Sequence, residues 1–151
     1  MSRLDFRVLA VVMIFPPLIP MVPAAVADHD WAQRDILAGQ SLYGDHCASC
    51  HGANLEGQPN WRSPDADGRL PAPPHDGTGH TWHHDNALLF EYTKQGGKTA
   101  LEARGVTGFN SGMPAFGETL SDAEIWNILA YIRSNWSASE QNAQDQRNPP
   151  H

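Results

Sequence analysis

At 151 residues the chain is enough for one small domain. Thirteen glycines and 12 prolines indicate a loop-rich fold that has trouble filling a core from side chains alone. The formal net charge of −7 excludes nucleic acid and anionic lipid as natural partners and favours a protein with a basic docking patch.

The first stretch is read as a targeting segment. Met1 to Arg7 carries Arg3 and Arg7, and an apolar run continues from Val8 to Pro23. Ala25-Val26-Ala27 then has the small-residue pattern that precedes a cleavage point, which makes Asp28 the first mature residue. Pro16, Pro17, Pro20 and Pro23 interrupt the run and suit a spanning helix poorly. Residues 1–27 are therefore expected to be a cleaved secretory signal. Membrane attachment would come only from an uncleaved signal or a membrane complex. Without this segment the chain keeps 8 Lys+Arg against 16 Asp+Glu, a net charge of −8.

From Trp31 the pattern becomes helical. Ile36, Gln40 and Tyr43 fall close to one face, with Gly39 beside them. A glycine inside a helix costs about 1 kcal/mol against alanine, so Gly39 is expected where another helix comes close. The helix leads into Cys47-Ala48-Ser49-Cys50-His51. Cys-x-x-Cys-His is the attachment pattern of a c-type haem. On a helical turn, residues three apart share a face, so both sulfurs can reach one edge of a macrocycle. His51 follows as the proximal nitrogen ligand. A thioredoxin-type site would need a strand before the motif, and a structural zinc site usually has a second ligand pair. These two cysteines are the only ones in the chain.

Gly39-x-x-x-Tyr43-x-x-x-Cys47-x-x-Cys50-His51 resembles the first helix and haem site of the class I, mono-haem cytochromes c. The resemblance runs from Asp35 to Trp136. It implies an all-α fold of about three main helices, with long loops wrapped round one covalent haem. It also implies export to the periplasm, where such haems are attached, and one-electron transfer rather than enzymatic catalysis. The domain is placed at 28–136, and 137–151 is read as a polar, disordered tail.

Residues 53–81 are irregular and rich in proline and glycine. In the family such a loop covers the haem edge. Leu70-Pro71-Ala72-Pro73-Pro74 resembles its proline loop, where a backbone carbonyl takes the ring N–H of the proximal histidine. Pro71 and Pro73 are both eligible for that role. Arg69 and Trp82 are placed as partners of the haem propionates. His75, His80, His83 and His84 cluster nearby and could form a second metal site, such as copper, or simply polar loop surface.

Asp85 can cap a helix over Asn86 to Lys94, which Gly96-Gly97 stops. A second loop, Lys98 to Asn110, leads to Ser111-Gly112-Met113-Pro114-Ala115-Phe116. The resemblance makes Met113 the second axial ligand of the iron. Met113 is also the only methionine left once Met1, Met13 and Met21 depart with the signal. Ser121-Asp122-Ala123-Glu124 reads as a capping box. Behind it, Ile125, Ile128, Leu129 and Ile132 mark the last helix. Trp126 and Tyr131 are expected to meet Gly39 and Tyr43 where the first and last helices cross. A periplasmic electron carrier is the resulting expectation. The alternatives are a haem subunit of a larger redox complex, or a haem- or copper-binding sensor module.

Overall fold

The computed structural model describes residues 31–148. The expected signal at 1–27 and the mature terminus at Asp28 lie outside the described residues. Six α-helices run in order: α1 (Ile36–His46), α2 (Ala48–His51), α3 (Asn86–Gln95), α4 (Gly97–Ala103), α5 (Asp122–Ser134) and α6 (Ala138–Asp145). Two 3-10 turns, Trp31–Gln33 and Thr81–His83, complete the regular structure, and no strand occurs among the described residues. The fold is all-helical, as expected. None of the helices among the described residues is long and apolar enough to cross a membrane.

Each long helix starts where a side chain can satisfy its open N–H groups. Asp35 accepts from the Ala38 N–H at 2.9 Å to begin α1, and Asp85 accepts from the Leu88 N–H at 2.7 Å to begin α3. Ser121 and Glu124 form the full reciprocal capping box at the head of α5. The apolar stripe of α5 goes inward: Ile125, Ile128, Leu129 and Ile132 are buried with Tyr43, Leu55, Leu120 and Trp136. Each such side chain stabilises the fold by about 1.5–3 kcal/mol through the water it sheds.

Helices α1 and α5 cross at Gly39. A methyl group there would overlap the Asn127 carbonyl, with the carbonyl carbon at 2.6 Å and Tyr131 Cβ at 3.1 Å. Tyr43 packs on Tyr131 with ring centroids 5.5 Å apart. Trp126 does not join the crossing. It faces the other way, stacked on Phe90 of α3 at 4.8 Å and edge-on to Trp31 at 5.9 Å. One residue separates neighbours on a helix by about 100°, so Asn127 and Tyr131, four apart, meet Gly39 while Trp126 is turned aside.

Two stretches expected to be irregular are helical. The start of the second loop forms α4, whose N-terminus follows Gly96 at φ +81°. The expected disordered tail forms α6, with a second capping box from Ser137 and Glu140. Helix α6 has little apolar surface and is held by polar contacts instead. Arg133 donates to the Gln144 side chain at 2.7 Å and to Asp145 at 3.0 Å. Gln144 is fully buried, and its amide donates to the Asn86 side chain. These contacts seat α6 against the 3-10 turn at Thr81–His83.

Candidate haem-binding site

The end of α1 and the short helix α2 present the two thiols. Cys47 caps α1 and precedes α2, and Cys50 lies within α2. Both are free of any disulfide, Cys47 buried and Cys50 exposed. Burial, with a smaller effect from Cys50, pushes the Cys47 thiol up to about 11. Reactive and metal-binding cysteines have the opposite tendency, since the thiolate is the working form.

His51 closes α2 and is buried at 7% exposure. Its Nδ1–H donates to the Pro73 carbonyl at 2.8 Å, the oxygen being able only to accept. That bond fixes the tautomer and leaves the Nε2 lone pair free to bind a metal. Burial lowers the pKa of the imidazole against the smaller opposing effect of the Pro73 bond, so the neutral ligand form is favoured. Of the two prolines expected to be eligible, Pro73 makes the bond and Pro71 does not. The segment carrying Pro73 is held by backbone pairs on either side. Gln58 N–H donates to the Ala72 carbonyl at 2.9 Å, and His75 N–H to the Leu55 carbonyl at 2.8 Å. Leu55 adopts φ +68° to present that carbonyl, a conformation that costs a side-chain-bearing residue roughly 1–2 kcal/mol.

Met113 sits on a segment fastened to the end of α3. Its carbonyl accepts from the Gly97 N–H at 3.2 Å. Further along, Phe116 and Gly117 N–H donate to the Thr93 and Lys94 carbonyls at 3.1 and 2.9 Å. Ser111 Oγ lies 2.9 Å from the Tyr92 hydroxyl and accepts from the Met113 N–H at 3.3 Å. Gly96 has to be bare as well as left-handed: a Cβ there would come within 3.0 Å of the Ala115 nitrogen. Arg69 extends over the same segment, where a Cβ on Gly112 would meet its Cδ at 2.7 Å.

The four loop histidines do not converge on one point. His75 stacks on His51, His80 stacks on Trp61 and touches His84 edge-on, and His83 lies against Trp82. Among the described residues no group of three or more His, Cys, Asp or Glu side chains could hold a metal ion. The copper reading therefore has no gathered ligand set. Sequence reasoning left His75 among these loop histidines; only the fold brings it onto the proximal ring, because the loop has no periodicity to report a contact.

A haem fits these residues. Its two vinyl groups call for the paired thiols and its iron for the free Nε2 of His51. The Nε1–H of Trp82, expected as a propionate donor, is buried with no partner. An N–H left so costs about 1–3 kcal/mol until an acceptor arrives.

Comparison with curated proteins and with solved structures found no match. Comparison with protein families matched residues 36–136 to Cytochrome c, a span from the first residue of α1 to Trp136 just past α5, leaving α6 outside it. That family implies covalent haem c and haem-based electron transfer. Two thirds of the chain lies within the match, the thiol pair and His51 fall inside it, and the chain belongs to the cytochrome c family.

Proposed function

We propose that the chain is an exported one-electron carrier with one haem held by Cys47, Cys50, His51 and Met113. The observation that carries this reading is the Nδ1–H bond from His51 to Pro73, which commits the other ring nitrogen to the iron. When bound, the haem supplies an iron that takes up and releases a single electron. His51 and Met113 would hold the iron between them, so no substrate would need to enter and little would have to move. The soft thioether of Met113 would favour the reduced state and raise the potential. Pro73 strengthens His51 as a donor and keeps its ring from turning. Cys50 is exposed and Cys47 buried, so the macrocycle edge at Cys50 is the one a partner can approach.

Localisation in the periplasm rests on the segment at 1–27, and a basic partner on the mature charge of −8. Association with that partner slows steeply as salt rises. The decisive experiment is spectroscopic and electrochemical. The purified protein should retain haem through acid denaturation, show a reversible one-electron couple, and refuse carbon monoxide when reduced. Ready carbon monoxide binding by the ferrous wild type would refute the carrier reading in favour of a sensor or a peroxidase.

A further inference from the structure

The hydrogen bond at Nδ1 limits the turning of the His51 imidazole at one edge. Packing on the face of the ring limits it further. The His75 ring lies parallel to His51, with centroids 3.9 Å apart and 17° between planes. His75 is itself anchored on three sides. Its N–H donates to Leu55 at 2.8 Å, its carbonyl accepts from Trp136 Nε1 at 2.7 Å, and Tyr43 meets its ring edge-on at 5.9 Å. Tyr43 is in turn tied to α2, its hydroxyl donating to the Gly52 carbonyl at 3.2 Å.

We propose that His75 is a positioning residue: its ring, carried on a backbone that Leu55 and Trp136 hold, packs on the face of His51 and so helps to set the plane in which the proximal imidazole would meet the iron. Edge and face together hold the ring plane more tightly than the Nδ1 bond does alone. The neighbouring Pro73 carbonyl comes from the same short segment, so one stretch of loop delivers both constraints. Trp136 extends the clamp to the far end of α5, and through it the C-terminal part of the chain bears on the ligand.

The inference rests on the haem-carrier reading and is tested on the holoprotein. Proton NMR of the ferric state reads the ligand plane from the order and spread of the haem methyl shifts, and voltammetry reads the potential. His75→Leu should change the methyl pattern and move the potential, while His75→Phe, which keeps a flat ring in place, should hold both near the wild-type values. In the reduced wild type, an Overhauser contact should join the His51 and His75 rings. That measurement decides the matter even if His75→Leu fails to mature. Absence of the contact overturns the proposal. So does a His75→Leu protein with wild-type methyl shifts and potential, or a His75→Phe protein altered as much as His75→Leu. A wild type that carries no covalent haem overturns the electron-carrier reading itself, and the clamp with it.

Discussion

Replacing Gly39 with alanine sets two known effects against each other. Alanine favours the helix over glycine by about 1 kcal/mol. Its methyl group, however, would overlap the Asn127 carbonyl and lie 3.1 Å from Tyr131 Cβ. The obstructing atoms are backbone and a Cβ of α5, not the end of a flexible side chain. Relief requires α5 to move off α1, and overpacking of this kind costs about 1–3 kcal/mol. Because the overlap is with backbone, the cost should lie at the upper end and outweigh the propensity gain, leaving a net loss of about 1–2 kcal/mol. Gly44 provides the control on the same helix: it is exposed and a methyl there meets nothing within 4 Å. Gly44→Ala should therefore stabilise by about 0.5–1 kcal/mol. Guanidinium unfolding of the holoprotein, followed by far-ultraviolet circular dichroism, reads both changes as shifts of midpoint at constant slope. If Gly39→Ala proves as stable as Gly44→Ala, the close crossing of α1 and α5 is not what that glycine provides.

Met113→Ala should lower the potential and open the iron to carbon monoxide, while Met113→His should keep six ligands and still lower the potential; an unchanged spectrum and potential in Met113→Ala would place the ligand elsewhere. Ending the chain at Trp136 removes α6 together with the bonds from Arg133 to Gln144 and Asp145 and from Gln144 to Asn86; it should lower stability by about 1–3 kcal/mol, and a melting point equal to the full chain would show α6 to be dispensable. Burial is the main cause that lowers the pKa values of His80 and His84. Below about pH 6.5 the unfolded chain takes up protons that these folded histidines refuse, so stability should fall as pH drops from there. Guanidinium midpoints at neutral and mildly acid pH check this, and His80→Gln with His84→Gln should reduce the difference, leaving the share of His75, whose burial holds its pKa well below the usual range.

Much of the site was legible because its chemistry dictates spacing. Cys47, Cys50 and His51 must follow one another on a single turn; Met113, proposed as the second ligand, was singled out as the one methionine beyond the expected signal. Helices α3 and α5 announced themselves through Asp85 and the Ser121–Glu124 box. The choice of Pro73 over Pro71 was not legible, because both sit in the same extended run and only the fold shows which carbonyl faces His51. Helix α6 was missed although Ser137-Ala138-Ser139-Glu140 repeats the capping pattern of α5. It lacks an apolar stripe, and its buried residue is Gln144 rather than a leucine. Hydrophobic periodicity cannot report a helix docked through amides and a guanidinium. The misplacement of Trp126 has a similar root: aromatic character suggested the crossing, while helical phase assigned that place to Asn127 and Tyr131.

The Asp35 N–H donates to the Asn127 side chain 92 positions further along the chain. Synthesis proceeds from the N-terminus, so Cys47 and Cys50 leave the ribosome well before the residues that bring α1 and α5 together. Once those helices meet, Cys47 retains only 7% exposure and is out of reach of any large enzyme. Haem attachment is therefore expected in the interval in which the chain is still open, with the helical crossing as its deadline. A chain ending before Ser121 should for that reason accept haem as completely as the full-length protein, which mass spectrometry of the truncated product can read; loss of attachment in that product would mean that closure comes first.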